Sequence, residues 1–273
     1  MRWECEKIND PYCEDMPTSI VRIYAPGGFV VAADGREYDP KTGATIRDNF
    51  RKIFTVDQRG RRLTYALSGT NKLALCGGST KADLDLLLFT RGSVEGLTAS
   101  RRTSLLAYAK ALSNDFQKLP EYEQDDEPTV IYLDGYYNTR PERAKITIIH
   151  NSKTQANAIT EELEPGHFNA CGSEKIFNAL KFDSDERIAK YRSPSWKVDY
   201  RDRTLSDAIA LAQSYIGAQC DDEVRAMDKK WFTAIGGYGH LCILKEAGQF
   251  EWMFRDLATQ KWAAFQPTGS TVP

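Results

Sequence analysis

The chain has 273 residues and a formal net charge of −2, enough length for one large domain or two small ones with a real core. A near-neutral balance gives no basis for nucleic acid or an anionic membrane surface as a partner, and no apolar run approaches transmembrane length. The six cysteines, Cys5, Cys13, Cys76, Cys171, Cys220 and Cys242, form no CxxC pair, so neither a disulfide framework nor a zinc site is expected, and they read as the reduced thiols of a cytoplasmic protein.

In chain order, residues 1–17 are polar, hold Asp, Glu and two Cys, and lack the apolar stretch of a secretory signal; they read as an irregular leader. The β-branched runs 18–24 and 28–34 flank Pro26-Gly27-Gly28 and predict a β-hairpin. The start of one antiparallel strand lies beside the end of the next, which brings Thr18 to Asp34. Lys52–Val56 and Leu63–Ser68, around the charged turn 57–61, predict a second hairpin ended by Gly69. Thr80-Lys-Ala-Asp83 has the form of a capping box and predicts a helix over Leu84, Leu87 and Leu88. A glycine-containing break at 92–96 is expected before a longer helix at about 99–118, with Leu105, Tyr108, Ala109, Leu112 and Phe116 on one face.

Strands follow at Thr129–Leu133 and Ala144–His150, with weaker candidates at 155–162 and 167–171. Gly172-Ser173 opens a helix through Leu180, and Thr204-Leu-Ser-Asp207 caps another that ends at Gly217. The last strands lie near Gly239–Lys245 and Phe250–Phe254. Runs of strands alternating with pairs of helices predict an α+β chain in which antiparallel sheets carry helix layers.

The chemistry concentrates at one end of the first hairpin. Lys52 opens the third apolar run and can deliver an ammonium there, so a hydroxyl, a carboxylate and an amine meet as a workable nucleophilic constellation. Each member also has a plain reading: Thr18 as a β-former, Asp34 as the first half of an Asp-Gly turn, Lys52 as a solvated charge. His150, His167 and His240 have no local context that suits a Ser-His-Asp triad and read as structural or surface residues.

The strand-opening Thr18, the glycine turn at 26–28, the stretch Ala32-Ala33-Asp34-Gly35-Arg36 and the run Lys52-Ile53-Phe54 resemble proteasome β-type subunits and their bacterial relatives, which are N-terminal-nucleophile hydrolases. The resemblance implies a four-layer αββα sandwich over residues 18–256, with 1–17 as a leader or propeptide and 257–273 as a C-terminal tail. It implies Thr18 as nucleophile, Asp34 as supporting carboxylate, Lys52 as the lysine beside it, and Gly69 as the backbone N–H donor to the oxyanion. Arg36 is then a basic residue placed to pair a carboxylate, and Ser173 a serine near the nucleophile; Ser173 equally reads as a helix N-cap. The α-amine of Thr18 would act as general base for its own hydroxyl, which requires removal of residues 1–17.

The resemblance implies no metal and no organic cofactor. It implies peptide or unfolded-protein substrates, and self-association or assembly with related subunits. Three positions depart from the pattern: Pro17 where the family usually has glycine, Phe232 where it has aspartate, and Ile235 in Ala234-Ile-Gly-Gly237 where it has serine. Three functions therefore stand side by side: a threonine-type hydrolase of peptide bonds, a catalytically silent structural or assembly subunit, and a non-peptidase amidase on the same fold.

Overall fold

The computed structural model describes residues 18–39, 42–58, 61–69, 72–74, 83–97, 104–119, 125–150, 154–230 and 232–267. The first half contains β1 (Ile20–Ala25), β2 (Gly28–Asp34), β3 (Glu37–Tyr38), β4 (Thr45–Arg47), β5 (Ile53–Gln58), β6 (Arg61–Gly69), β7 (Lys72–Ala74), β8 (Asp83–Asp85), α1 (Leu86–Leu97) and α2 (Leu105–Phe116). The second half contains β9 (Asp125–Tyr137), β10 (Arg140–His150), β11 (Thr154–Thr160), β12 (Phe168–Cys171), α3 (Glu174–Phe182), α4 (Leu205–Gln219), α5 (Asp222–Arg225), β13 (Gly239–Lys245), β14 (Phe250–Arg255) and β15 (Trp262–Ala264). The chain divides into two compact units: Met1–Phe54 with Glu164–Pro273, and Thr55–Leu163. Both are mixtures of antiparallel sheet and helix.

The first unit is a six-stranded antiparallel sheet in the order β12-β1-β2-β13-β14-β15. The expected hairpin forms, with Ile20 opposite Ala33 and Tyr24 opposite Phe29. β2 is buried along its whole length, so its near-continuous apolar sequence is what a central strand needs. β13 returns beside it with Gly239 opposite Asp34 and His240 opposite Ala33.

Alternate residues of the sheet, Val21, Ile23, Val30, Ala32, Leu241 and Ile243, share one core with Ala208, Leu211, Ala212, Tyr215 and Ile216 of α4; period two in the strands meets period 3.6 in the helix. Phe168, Phe177, Trp196 and Tyr215 cluster in that core, with Phe168 centred 5.2 Å from Trp196 and 5.4 Å from Tyr215. The indole N–H of Trp196 is satisfied by Ser214 Oγ at 2.8 Å, as a buried tryptophan requires.

Thr204 and Asp207 make the reciprocal capping box that their spacing predicts. α4, however, continues two residues beyond Gly217. That glycine ends nothing: a Cβ there would lie 2.9 Å from the Tyr191 ring, so it is small to admit an aromatic against the helix.

The second unit is a five-stranded antiparallel sheet in the order β11-β10-β9-β6-β5, with α2 packed on β9, β10 and β11. β5 and β6 are neighbours, as the second hairpin requires. Leu105, Tyr108, Ala109, Leu112 and Phe116 form the buried face of α2. Its N-cap is Ser104, and Leu105 N–H donates to Glu142 Oε2 at 2.5 Å; residues 99–103 of the expected helix lie outside the described residues. Within the sheet, Arg143 and Asp134 form a buried ion pair at 2.6 Å.

The expected helix over 84–88 starts at Leu86, and Thr80 lies outside the described residues. The break expected at 92–96 does not occur: α1 runs unbroken to Leu97. Two glycines lower helix propensity by about 1 kcal/mol each, but Leu86, Leu87, Thr90, Val94 and Leu97 all bury on one side, and tertiary burial overrides propensity.

A Cβ at Gly92 or Gly96 would meet nothing within 4 Å, and neither has a positive φ. Gly92→Ala and Gly96→Ala are therefore expected to stabilise the protein by about 0.5–1 kcal/mol each. Chemical denaturation of the two single variants checks this; a loss of stability in both would show that α1 needs its glycines.

Candidate active site

The site is built around the carboxylate of Asp34 at the end of β2. The side chain is fully buried, and four donors converge on it. Oδ1 accepts the Ser19 N–H at 2.9 Å and the Lys52 ammonium at 2.8 Å. Oδ2 accepts the N–H groups of Arg36 at 3.2 Å and Gly236 at 3.1 Å. An ionised carboxylate offers about four lone-pair sites, so Asp34 is saturated. It has no oxygen free to take a proton from a substrate, and its role is to hold other groups.

What it holds bears on Thr18. The Ser19 N–H belongs to the peptide that joins Ser19 to Thr18, and the Ser19 carbonyl accepts from Asp34 N–H at 3.0 Å. This two-way contact fixes the start of the first strand against the end of the second. Thr18 is buried and precedes β1 rather than lying inside it. Lys52, 5% exposed, places its ammonium on the same oxygen as the Ser19 N–H.

Lys52 is itself held by a residue that sequence reasoning assigned only a structural or surface place. Its backbone N–H donates to His240 Nε2 at 3.0 Å. Nε2 is then an acceptor, which puts the ring proton on Nδ1, and that atom is buried without a partner. Burial, with the Lys52 and Arg51 cations nearby, pushes His240 well below its ordinary value, so it is a neutral imidazole and not a triad base. Nothing local in the sequence marks this role; it follows from the pairing of β13 with β2.

Ser173 is the N-cap of α3, accepting Ile176 N–H at 3.2 Å, and it donates to Asp228 Oδ2 at 2.6 Å. Gly172 next to it has φ +126°, and a Cβ there would lie 2.8 Å from Ser19 Oγ. Ser173 therefore stands beside the Thr18–Ser19 end of the hairpin. Its acidic partner Asp228 was missed in the sequence, where the comparison pointed to position 232. Phe232 instead lies under the Arg225 guanidinium, 4.9 Å from ring centre to Cζ, and the Ile235 side chain is buried.

Arg36 pairs a carboxylate, that of Asp48 at 2.7 Å. Thr18, Asp34, Arg36, Lys52 and Ser173 all belong to the first unit; Gly69 belongs to the second. There it closes β6 with φ +87°, and a Cβ would lie 1.9 Å from the Pro128 carbonyl oxygen, which is reason enough for glycine at that position.

Cys220 and Cys242 are buried beside these strands, and burial pushes both thiols up, Cys220 to about 12 with help from the Asp34 charge. Neither is a thiolate that could compete as nucleophile. Among the described residues, no helix is long and apolar enough to cross a membrane.

No protein-family model matches the chain, and no curated protein matches it. Among solved structures it is similar to Anbu (ancestral β-subunit) from Yersinia bercovieri, at 15% identity and a TM-score of 0.49, over 83% of this chain and 81% of that one. It is similar also to an Anbu (Gly-1) mutant from Hyphomicrobium sp. strain MC1, at 13% identity and a TM-score of 0.49, over 90% of this chain and 87% of that one. The sequence resemblance to proteasome β-type subunits is corrected by these findings. The two structures named are Anbu proteins, a distinct proteasome-like family, and at this identity a short strand-turn-strand motif does not carry membership of either group.

Two outcomes are expected from this geometry. Removing one partner of a buried ion pair typically costs about 3–5 kcal/mol, so Asp34→Ala, which strands Lys52 and three backbone donors, is expected to lose at least that much in urea unfolding; a loss below about 1 kcal/mol would contradict the saturated carboxylate. For His240, the folded state refuses a proton that the unfolded chain takes below about pH 6.5. Stability is therefore fully present above that pH and falls below it, by up to about 1.4 kcal/mol per pH unit from this group. His240→Gln keeps a side-chain acceptor for Lys52 N–H and should remove that part of the slope; equal slopes in both proteins would refute the assignment.

Proposed function

We propose that this protein is a threonine-type amide hydrolase in which Thr18, once it is the first residue of the chain, is the nucleophile. One observation carries the reading: a single buried oxygen, Asp34 Oδ1, receives both the Lys52 ammonium and the N–H of the residue that follows Thr18. A cation is thereby fixed at the start of the strand that Thr18 leads.

In the proposed reaction the free α-amine of Thr18 takes the hydroxyl proton, directly or through water, as Oγ attacks the amide carbonyl. The positive charge of Lys52 favours the developing alkoxide. The tetrahedral intermediate collapses with proton transfer to the leaving amine and leaves an ester on Oγ. Water then attacks the ester, and the threonine is regenerated. Gly69 N–H as oxyanion donor, peptides as substrates, residues 1–17 as a removable leader, residues 18–256 as the hydrolase domain, residues 257–273 as a tail, and self-association all belong to this proposal. So does a four-layer αββα sandwich, whose ingredients, antiparallel sheet and helix, are present in each unit taken by itself.

A specific observation favours a second reading. Ile235 is apolar and buried where a serine hydroxyl would support the terminal amine, which suits a silent subunit that keeps the framework without the chemistry.

Incubation with a peptide boronate, followed by a competition assay and mapping of the modified residue, separates the two. The catalytic reading expects stoichiometric capture on Thr18, abolished in Thr18→Ala. Absence of capture by a chain that already begins at Thr18 would favour the silent subunit.

A further inference from the structure

The turn that hands Gly236 N–H to Asp34 has no regular hydrogen-bonding ladder of its own. Residues 232–238 are turns and bends, with φ of +145° at Gly236 and +75° at Gly237. The Gly236 carbonyl accepts the backbone N–H of Gly35 at 3.1 Å, and three further carbonyl groups of the turn are taken by side chains. Arg225 Nη1 donates to the carbonyl oxygen of Ile235 at 2.7 Å and also to that of Phe232. Arg36 Nη1 donates to the carbonyl of Thr233 at 3.4 Å.

The two guanidinium carbons flank Gly236, each 3.0 Å from where its Cβ would be. Any side chain at that position would enter the space between two cations. Both arginines also connect to the carboxylate: Arg36 through its own N–H, and Arg225 through the turn that presents Gly236.

Arg225 is an expensive way to hold a turn. Its side chain is 4% exposed, its ionic partner Asp222 is 82% exposed, and its Nε is buried without a partner. A buried guanidinium loses hydration that one solvent-facing carboxylate and two carbonyls repay only in part. An apolar side chain would fill the space without that cost, yet would leave two carbonyls of the turn unmet. The feature fits a demand for position rather than for stability.

We propose that Arg225 is a positioning residue for the candidate active site: by gripping the Phe232 and Ile235 carbonyls it fixes Gly236 N–H on Asp34 Oδ2, and so sets where Asp34 holds Lys52 and the Thr18–Ser19 peptide. The inference rests on the threonine-hydrolase reading for its catalytic consequence, though not for the grip itself.

The test uses the full chain with Arg225→Ala and Arg225→Lys. In peptide hydrolysis, Arg225→Ala should lower kcat by about tenfold or more with KM within about twofold. Millimolar guanidinium should restore a substantial part of the loss, because the free ion fits the vacated fork. Arg225→Lys should not rescue, since one ammonium cannot span two carbonyls and Asp222 with the fork's geometry. A folded Arg225→Ala enzyme with unchanged kcat, or one that guanidinium does not help, would overturn the proposal.

Hydrogen exchange gives the second arm, which is independent of activity. The Gly236 amide should exchange faster in Arg225→Ala while amides of β9 and β10 stay as protected as in the parent. Should the parent protein prove inactive, the hydrolase reading fails by itself and the exchange result alone decides the grip; unchanged Gly236 exchange would refute it.

Discussion

A buried, saturated carboxylate governs this site. Asp34 draws its four donors from four separate stretches: Ser19 ahead of β1, Arg36 after β2, Lys52 ahead of β5, and Gly236 ahead of β13. A charge removed from water must find partners or it will not remain ionised, so each of these stretches is fixed by the same requirement. The antiparallel register does the coarse work by bringing strand ends together. The carboxylate does the fine work, and it leaves one product, a lysine ammonium held at the start of the first strand.

That arrangement narrows the chemistry available. Asp34 has no lone pair left to act as a base, His240 is held neutral by burial and by neighbouring cations, and the Cys220 and Cys242 thiols are kept protonated by burial. The lysine–carboxylate pair is instead bonded to the backbone N–H of Ser19, the residue that follows Thr18. On the proposed reading, the scaffold supplies a fixed positive charge and the chain terminus supplies the base, so one residue carries both nucleophile and proton acceptor. Ser173 is bonded to Asp228, and the turn at 232–236 with its two guanidiniums reaches Asp34 through the Gly236 N–H.

The sequence made the hairpin legible because two β-branched runs around a glycine turn admit few other structures, and the hairpin alone brings Thr18 to Asp34. The apolar face of α2 and the capping box of α4 were legible for the same reason: they are local patterns with one physical solution. Gly92, Gly96 and Gly217 misled, since glycine is a helix breaker only where tertiary burial does not outweigh it, and burial is not written locally. His240, Asp228 and Arg225 were not legible at all. Each acts through a contact far away in the chain, and a lone His, Asp or Arg looks the same whether it is solvated or pinned to a turn. The family assignment failed for a related reason: a strand end of a few residues describes a geometry that more than one protein group can share.

The measurement that bears most directly on the central claim is the intact mass and N-terminal sequence of the purified protein. The account predicts a chain that begins at Thr18, with the peptide bond after Pro17 cut and the α-amine free. A protein that retains Pro17 ahead of Thr18 after prolonged incubation would contradict it, because a threonine whose amine is locked in a peptide bond has no base for its own hydroxyl.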